Sequence, residues 1–484
     1  MPENRMKLNE LLKDIQIISA SGDMEREVGN ISYDTRTVDE NSVFVCIKGI
    51  NTDRHNFIDN AFDKGCKVII SQYPVEKEGI TNVVVPDTNK ALALVCANFY
   101  NNPQRKLRVI GVTGTNGKTT STTLIKATLE ESGYKVGLIG TNDIIIGKTV
   151  IPSPNTTPEA PELFSYFAKM VEEKCDFAIM EVSSHSVSLD RIYGIEFEVG
   201  VFTNLTQDHL DYHKTMENYA KAKAQFFSYC KNCVINEDDE YSSVMKENIK
   251  GKLITYSINS PSDYHAVNVK HMDDGVSYTV KKKNESYDII FPIPGNFSIY
   301  NSLVVCCVGG ILGIPDTFVR MSLKNSKRVM GRCEVVDIDK PYKVIIDYAH
   351  TPDGMENILT TIREFKRGRL ITLFGCGGDR DKGKRPKMGK MAEKYSDVII
   401  VTSDNPRSED MQAIINDIMV GIEKKENVYT NTDRKEAIKM ALDMAEENDI
   451  ILLLGKGHET VQKFKDYNIE FDERKIVREI CSLQ

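Results

Sequence analysis

Residues 111–120, GVTGTNGKTT, place glycines, a lysine and hydroxyl groups directly after an apolar run. Backbone N–H groups of a glycine-rich turn and of a helix N-terminus can bind an anion. Lys118 could reach phosphate oxygens, and the Thr119 hydroxyl could bind Mg²⁺. The strict spacing of a phosphate loop is not met, because Val112 stands where the first glycine belongs. The stretch predicts a nucleotide site, and the alternative is a glycine-rich turn with a chance lysine.

A second segment, NYAKAKAQFF at residues 218–227, holds two lysines two positions apart. On a helix, one apolar face would collect Tyr219, Ala222, Lys223, Phe226 and Phe227. Lys221 would lie on another side. Lys223 is therefore predicted on the face that is buried, where its ammonium either reaches back to water along a buried stem or takes part in chemistry.

Acidic and imidazole groups lie near these lysines in the sequence. Glu181 ends the apolar run DFAIME, and a carboxylate at a strand end can hold Mg²⁺ or its water. Residues 203–213, TNLTQDHLDYH, contain His209 among other histidines and aspartates. Taken alone, the glutamate is only solvated and the histidine-rich stretch is the capped start of a helix.

The elements that would position these groups can be read from the apolar pattern. LRVIGVTG predicts a strand, TTSTTLIKATLEESG a helix that ends at Gly133, and YKVGLIGT a second strand, which together make a βαβ unit. Residues 302–314, SLVVCCVGGILGI, predict a buried helix. AVNVKHMDDGVSYTV alternates around Asp-Gly and predicts a hairpin.

From about residue 329 the alternation of strands and helices restarts. The runs YKVIIDYAH, RLITLFGCGGDRD, DVIIVTSDNPR and DIILLLGKGHE are each apolar and then end in polar loops. Ligands of such sheets bind beyond the carboxyl ends of the strands. We therefore predict an α/β protein of three domains: a small N-terminal α/β domain at 1–106, a central phosphate-loop domain with a mostly parallel sheet at 107–328, and a C-terminal Rossmann-like domain at 329–484.

Composition limits the class of protein. The 484 residues carry 62 lysines and arginines against 70 acidic residues, a net charge of −8, which argues against a nucleic-acid binder. No apolar run is long enough to span a bilayer, and the first residues lack the apolar core of a signal peptide, so we expect a cytoplasmic protein. Cys230 and Cys233 form a lone C-x-x-C, and without a second pair the 11 cysteines are expected to be mostly buried and reduced.

Taken together, these stretches resemble the Mur ligases, the ATP-dependent amino-acid ligases of peptidoglycan precursor synthesis. The markers, in chain order, are TGTNGKTT, NTTPE, MEVSSHS, FTNLTQDHLDYH, YAKAKAQFF, PGNFSIYN, GRCE, DYAHTPD, GCGGDRDKGKRP, SDNPR and GKGHE. They cover nearly the whole chain. The resemblance implies that the N-terminal domain binds a UDP-linked substrate, the central domain ATP, and the C-terminal domain an amino acid.

The resemblance also implies residue roles. The catalytic residues would be Lys118, Glu181, His209 and Lys223, with Lys223 carbamylated by CO₂. Two Mg²⁺ ions would be held by Thr119 and Glu181, and by His209 and the carbamate on Lys223. ATP would be bound by Gly114, Thr115, Asn116, Gly117, Lys118, Thr119, Thr120, Asn301, Arg332 and Asp347.

The remaining implied residues bind the other substrates. The UDP-linked substrate would be bound by Thr35, Asn155, Thr156, Thr157, Ser183 and Arg191, and the amino acid by Arg380, Asp404, Asn405, Pro406, Arg407, Gly455 and Glu459. In this family D-N-P-R marks the diaminopimelate ligases, and the planar fork of Arg407 suits the distal carboxylate of that substrate. Arg380 would meet the other carboxylate and Glu459 the distal ammonium.

The expected function is therefore addition of meso-2,6-diaminopimelate to UDP-N-acetylmuramoyl-L-alanyl-D-glutamate through an acyl phosphate. The alternatives are an L-lysine-adding ligase, a ligase similar to folylpolyglutamate synthetase, and a nucleotide-binding switch without catalysis. We expect a monomer that acts on small molecules and neither binds nucleic acid nor inserts into a membrane.

Overall fold

The computed structural model describes residues 5–49, 52–153, 155–272, 275–283 and 285–483. Its three main sheets have five, eleven and six strands. They use strands from residues 19–84, 108–291 and 334–454, one sheet in each predicted domain range. The predicted α/β class is confirmed, and the domain boundaries stay a prediction.

The first sheet is small and mostly parallel. Its domain contains the strands β1 (Met6–Lys7), β2 (Ser19–Ser21), β3 (Glu27–Val28), β4 (Asn30–Ser32), β5 (Ser42–Val45), β6 (Val68–Ser71) and β7 (Thr81–Val84). The helices are α1 (Leu8–Leu11), α2 (Ile58–Asp63) and α3 (Thr88–Phe99), with 3₁₀ turns at Arg54–Phe57 and Pro103–Arg105. The strand order is β2-β7-β6-β5-β4, only β2 runs antiparallel to its neighbour, and β1 pairs separately with β3.

The central sheet begins with the strand that precedes the glycine-rich stretch. Its strands are β8 (Arg108–Thr113), β9 (Val136–Ile139), β10 (Asp143–Ile146), β11 (Thr149–Pro152), β12 (Phe177–Glu181), β13 (Phe197–Phe202), β14 (Cys230–Asn236), β15 (Lys252–Ser257), β16 (Tyr264–Met272), β17 (Gly275–Lys282) and β18 (Glu285–Phe291). The helices are α4 (Lys118–Glu131), α5 (Ala160–Glu172), α6 (Ser184–Ser188), α7 (Leu210–His213), α8 (Met216–Phe226), α9 (Ser242–Lys246), α10 (Asn296–Leu312) and α11 (Asp316–Lys324), with a 3₁₀ turn at Phe227–Tyr229.

The strand order of the central sheet is β11-β10-β9-β12-β8-β13-β14-β15-β16-β17-β18. From β9 to β16 the neighbours are parallel, so the carboxyl ends of β8, β12 and β13 meet at one edge. The predicted unit β8–α4–β9 is present, but β12 lies between its two strands. β16 and β17 pair antiparallel with Met272 opposite Gly275, whereas Asp274 of the predicted Asp-Gly turn lies outside the described residues.

The third sheet has the alternation predicted for the C-terminal region. Its domain contains the strands β19 (Glu334–Val336), β20 (Lys343–Asp347), β21 (Leu370–Phe374), β22 (Val398–Thr402), β23 (Val428–Asn431), β24 (Ile450–Leu454), β25 (Val461–Lys463) and β26 (Asn468–Glu470). The helices are α12 (Pro352–Phe365), α13 (Lys384–Tyr395), α14 (Met411–Met419), α15 (Arg434–Asp443) and α16 (Glu473–Leu483). The order is β19-β20-β24-β21-β22-β23, parallel except at β19, and β25 and β26 form a separate hairpin.

The apolar patterns account for the cores of these layers. The predicted helix at 302–314 is the buried α10, which begins earlier, at Asn296. It packs in one apolar cluster with residues of β8 and β13. All 11 cysteines are free and all but Cys481 are buried, as expected. Within the part of the chain that the structure describes, no helix is both long and apolar enough to span a bilayer.

Candidate active site

The glycine-rich loop joins the end of β8 to the start of α4 at Lys118. Gly114 has φ +151°, and a Cβ there would lie 1.8 Å from the Oγ1 of Thr203. Gly117 has φ +84°, and a Cβ there would lie 2.7 Å from the Oδ1 of Asn301. Both positions need glycine, because the backbone is left-handed and the loop approaches its neighbours closely.

The loop is held by the segment that follows β13. The backbone N–H of Thr115 donates to the carbonyl of Asn204 at 2.8 Å, and the N–H of Asn116 donates to the Oδ1 of Asn204 at 2.9 Å. The hydroxyl of Thr203 donates to the carbonyl of Asn116 at 2.6 Å. Thr203 and Asn204 are far from the loop in the sequence, so the sequence alone does not place this segment beside it.

Lys118 lies across this loop. Its Nζ donates to the carbonyls of Gly114 and Thr115, each at 2.9 Å. Burial lowers the pKa of Lys118; the nearby Glu181 carboxylate opposes this effect and the Arg332 guanidinium adds to it. Among the described residues, the hydrogen-bond acceptors of this ammonium are neutral oxygens, so it can pair with an anion placed at the loop.

A cavity of about 280 Å³ adjoins the loop and is lined by residues of two domains. Six of the predicted nucleotide-binding residues line it, namely Asn116, Gly117, Thr120, Asn301, Arg332 and Asp347. The last two come from the C-terminal domain, where β20 ends at Asp347. These six predicted residues are therefore brought together where the central and C-terminal domains meet.

Arg332 is one of the residues that link these domains. Its terminal nitrogen donates to the hydroxyl of Thr119 at 3.1 Å, and its guanidinium stacks 4.6 Å from the ring centroid of Tyr348. Its buried Nε has no hydrogen-bond partner among the described residues. Asp347 accepts two backbone N–H bonds at 2.7 and 2.8 Å, and burial raises its pKa. An unpaired guanidinium N–H beside a phosphate loop fits an anionic ligand such as a phosphate.

Glu181 ends β12 and is completely buried. Its two oxygens accept from the backbone N–H and the hydroxyl of Thr141, each at 2.8 Å, which fixes the direction of the carboxylate. Glu181 and Thr119 line the same cavity of about 510 Å³. In the described ranges, no three or more His, Cys, Asp and Glu side chains are grouped to hold a metal by themselves. A Mg²⁺ here fits the oxygen donors present, with phosphate oxygens completing its shell.

Lys223 lies on α8 and is 1 % exposed. Its Nζ donates to the carbonyl of Gly114 at 2.9 Å and approaches the hydroxyl of Thr113 at 3.4 Å. Burial and the Lys118 ammonium hold the pKa of Lys223 well below its usual value. The prediction of a buried face is confirmed, whereas Lys221 is exposed. The ammonium does not reach water, so the structure contradicts the alternative of a lysine that extends to the surface.

His209 has a left-handed backbone, φ +53°, at the start of α7. Burial lowers its pKa to about 3, despite the Asp208 carboxylate 3.4 Å from its Nε2. The ring lies 5.0 Å from the ring of His185 and 6.1 Å from that of Tyr219, which precedes Lys223 by one helical turn. A neutral imidazole of this kind can act as a metal ligand.

The residues predicted for the UDP-linked substrate lie in two places. The hydroxyl of Thr157 donates to the carbonyl of Glu181 at 2.8 Å and accepts from the backbone N–H of Ser183 at 3.0 Å. Arg191 donates to the carbonyl of Thr157 at 3.0 Å, and its buried Nε has no partner in the described part of the chain. The hydroxyl oxygens of Thr156 and Thr141 lie 3.1 Å apart, and the neighbouring Asn155 is exposed.

Thr35 belongs to the first domain, and the contacts there are local. Its carbonyl accepts from the Nζ of Lys64 at 2.5 Å. The adjacent Asp34 pairs with Arg36, which holds the pKa of Asp34 at about 2. Of the stretch GINTDRHNFI at 49–58, residues 50 and 51 lie outside the described residues. In the part of the chain that the structure describes, no hydrogen bond joins Thr35 to the other predicted residues of this set.

The residues predicted for the amino acid follow three neighbouring parallel strands, β21, β22 and β24. Arg407 has φ +52°; its guanidinium donates to the carbonyl of Gly378 at 2.7 Å, and burial together with Arg380 lowers its pKa. Asn405 donates to the Oε2 of Glu459 at 2.8 Å. The sheet therefore brings this predicted set together at its carboxyl edge.

Three further members of that set have structural contacts. Gly455 has φ +105°, and a Cβ there would lie 2.8 Å from the Oδ2 of Asp404. The carbonyl of Pro406 accepts from the N–H of Glu409 at 3.1 Å. Arg380 is exposed, and its one hydrogen bond within the described ranges goes to the carbonyl of Asp379 at 2.9 Å, so its guanidinium is available to an anion.

Comparison with known proteins agrees with this layout. Three family models match consecutive parts of the chain: "Mur ligase family, catalytic domain" at residues 27–107, "Mur ligase middle domain" at 112–309, and "Mur ligase, glutamate ligase domain" at 331–457. The chain belongs to the Mur ligase family. The resemblance of its motifs to that family is thereby confirmed.

Two curated Mur ligase relatives match nearly the whole chain. A UDP-N-acetylmuramoyl-L-alanyl-D-glutamate--2,6-diaminopimelate ligase of Clostridium botulinum is 47% identical over 483 residues, 98% of this chain and 99% of the relative. One of Clostridium acetobutylicum is 48% identical over 479 residues, again 98% and 99%. A solved structure of a ligase of the same name is 29% identical, covers 99% of both chains and has a TM-score of 0.70.

Several residues of this Mur ligase site were not predicted from sequence. Thr141 directs Glu181, Asp208 contacts the C-terminal domain through Lys384 at 3.4 Å, and Lys456 is buried among the amino-acid residues. Lys384 and Lys456 do stand within the quoted motifs GCGGDRDKGKRP and GKGHE. Lys456 and Thr141 each lie two residues beyond an apolar strand, β24 and β9, and that position is the signal that could have found both.

Proposed function

We propose that the chain is an ATP-dependent ligase that joins meso-2,6-diaminopimelate to UDP-N-acetylmuramoyl-L-alanyl-D-glutamate. The main structural support is the cavity lined by the phosphate loop and by Arg332 and Asp347 of the C-terminal domain. Such a cavity can place a nucleotide where both domains touch it. The full-length relatives that carry this activity in their names support the same choice of substrates.

The reaction follows from the chemistry of amide formation. A free carboxylate does not condense with an amine at neutral pH, because the leaving group would be oxide. A carboxylate oxygen of the UDP-linked peptide attacks the γ-phosphorus of ATP, the bond from that phosphorus to the bridging oxygen breaks, and ADP leaves with the electron pair. The amine then attacks the carbonyl carbon of the acyl phosphate, inorganic phosphate leaves, and the nitrogen loses a proton.

Lys118 and Arg332 supply the protein's positive charge for the first step. Protein groups in phosphoryl transfer mainly position reactants and neutralise developing charge. In the described part of the chain, the Lys118 ammonium donates to loop carbonyls alone and the Arg332 Nε lacks a partner, so both can turn to phosphate oxygens. Closure of the C-terminal domain brings Arg332 to the loop.

Two Mg²⁺ ions would be held by Thr119 with Glu181 and by His209 with Lys223. When bound, the ions neutralise phosphate charge and polarise the phosphoryl group. Lys223 fits such a site once its amine has reacted with CO₂ and lost a proton, because the carbamate adds two hard oxygen donors. The lowered pKa of Lys223 favours the neutral amine that this reaction needs. His209 is neutral at pH 7 because its pKa is about 3.

Arg407 supports the choice of amino acid. Its guanidinium offers a planar fork to a distal carboxylate, which L-lysine lacks. An L-lysine substrate would leave that arginine without an anion, and unpaired polar groups in a site can discriminate by about 10⁴–10⁵. Arg380 would meet the second carboxylate and Glu459 the distal ammonium.

We place the reaction in the cytoplasm, where ATP and nucleotide-linked precursors are available. We expect a monomer, because one chain supplies every residue of the proposed site.

The experiment combines purified protein with ATP, Mg²⁺, UDP-N-acetylmuramoyl-L-alanyl-D-glutamate and one amino acid, and measures phosphate release. Phosphate is expected with meso-diaminopimelate and not with L-lysine. Turnover with L-lysine alone would overturn the specificity. Turnover only with a folate and glutamate would favour a folylpolyglutamate-type ligase, and ATP binding without phosphate in any mixture would favour a switch.

A further inference from the structure

A completely buried lysine, Lys456, lies beside the proposed amino-acid pocket, and the proposed function gives it no role. It follows β24 and is 0 % exposed. Its Nζ donates to the Oδ1 of Asn405 at 3.1 Å, to the Oε2 of Glu459 at 3.0 Å and to the carbonyl of Val461 at 2.7 Å. All three donors of the ammonium therefore have acceptors, which offsets the cost of burying the charge.

These bonds decide which way the Asn405 amide faces. Its Oδ1 accepts from Lys456 and from the backbone N–H of Lys463, the latter at 2.9 Å. Both neighbours are donors, so the amide oxygen must point to them. The Nδ2 then donates to the Oε2 of Glu459 at 2.8 Å.

Glu459 is consequently anchored by one oxygen only. Its Oε2 accepts from both Asn405 and Lys456, whereas no hydrogen bond to its Oε1 is recorded within the described ranges. The side chain is 21 % exposed, so the free oxygen can face a ligand. A carboxylate held in this way presents a fixed acceptor to an ammonium group.

Charge balance points to the same conclusion. The Oδ1 of Asp404 lies 3.9 Å from the Nζ of Lys456, so two carboxylates share one ammonium. The guanidinium of Arg407 also acts electrostatically on Asp404 and Glu459. With Arg407 left to a substrate carboxylate, the two acidic side chains around the single Lys456 ammonium can accept one ammonium of a substrate with two amines.

We propose that Lys456 is a positioning residue that determines how the pocket recognises the distal ammonium of the amino-acid substrate, by fixing Asn405 and one oxygen of Glu459. This inference rests on the proposed function. Without Lys456, the carboxylates of Asp404 and Glu459 repel each other and Glu459 loses one of its two donors, so the remaining bond from Asn405 holds its oxygen less firmly toward the substrate.

The test is Lys456→Met, which keeps the length of the side chain and removes the ammonium. The KM for meso-diaminopimelate is expected to rise at least about tenfold, while kcat and the KM for ATP change less than about twofold. The matched control is Lys465→Met in the β25–β26 turn, where the lysine is exposed, and its kinetics should equal those of the wild type. If Lys456→Met does not fold, Lys456→Gln replaces it: this variant removes the charge, and its shorter amide has only two N–H donors for the three acceptors, so the KM for meso-diaminopimelate is again expected to rise.

A double-variant cycle separates positioning from general damage. In a Glu459→Gln background, Lys456→Met should raise the KM for meso-diaminopimelate by less than about threefold, because its effect acts through Glu459. The inference would be overturned if the effects of Lys456→Met and Glu459→Gln on this KM simply multiplied. It would also be overturned if Lys456→Met alone left the KM for meso-diaminopimelate unchanged or raised the KM for ATP equally. The wild type is assayed first: absence of turnover with meso-diaminopimelate refutes the proposed function, whereas turnover with an unaffected Lys456→Met refutes only this inference.

Discussion

At the residue scale, Lys223 shows how a fold can change the chemistry of one side chain. Its amine is buried against the carbonyl of Gly114, and no carboxylate within 4.0 Å is recorded for it in the described part of the chain. Taking an ammonium out of water without an anionic partner costs free energy, so the neutral amine becomes more populated. A neutral amine is the form that can react with CO₂.

Lys223→Ala tests that role. Activity should fall by at least about 10–100-fold, because a ligand group is removed, and a short-chain carboxylate such as acetate should restore part of it by filling the gap with oxygen donors. Phosphate release with and without acetate is the measurement. The matched control is Lys221→Ala on the exposed side of the same helix, which should leave the rate unchanged. Full activity of Lys223→Ala without additive would refute the carbamate.

At the element scale, the loop between β8 and α4 depends on two glycines that face other segments. Gly114 is packed against Thr203, and Gly117 against Asn301 of α10. The loop can therefore cradle phosphates only while β13 and α10 keep their positions. The missing first glycine of the strict motif does not prevent this, because Val112 is buried within β8.

Gly117→Ala should weaken nucleotide binding at least about tenfold. The new Cβ would lie 2.7 Å from the Oδ1 of Asn301, so either the loop or that side chain must move. Isothermal titration calorimetry with a non-hydrolysable ATP analogue measures the change in affinity.

The control lies at the other end of the same helix. Gly133 also has a positive φ, +90°, but nothing lies within 4 Å of a Cβ built there. Gly133→Ala should lower the free energy of unfolding by about 1–2 kcal/mol and leave nucleotide affinity unchanged. Equal losses of affinity in the two variants would contradict a local role for Gly117.

At the scale of the whole molecule, the central and C-terminal domains are held together by polar contacts around the cleft. Gln207 donates to Asp381 at 2.9 Å, and Asp208 lies 3.4 Å from the Nζ of Lys384. Burial opposes ionisation of Asp208, but the Lys384 ammonium and a hydrogen bond with His350 hold its pKa well below the usual value. A charged pair at the junction can therefore favour the closed arrangement that brings Arg332 to the phosphate loop.

Lys384→Met should shift the protein toward an open arrangement, because it removes this pair. We expect kcat to fall by about tenfold and the radius of gyration with a bound ATP analogue, measured by small-angle X-ray scattering, to increase. The control is Lys382→Met, since Lys382 pairs at 3.3 Å with Glu409 of its own domain. An unchanged radius and rate in Lys384→Met would show that closure does not depend on the pair.

The amino-acid sequence by itself determined the α/β class, the buried face of α8 and the loop at the end of β8, because these depend on local periodicity and on turn residues. It also predicted that polar groups gather at the carboxyl ends of strands. Only the tertiary structure decided that β12 lies between β8 and β9. It also decided that Lys223 donates to the carbonyl of Gly114 and that Lys456 donates to Asn405 and Glu459. Those contacts join residues far apart in the chain, and their energies depend on burial and on partners that no local pattern encodes.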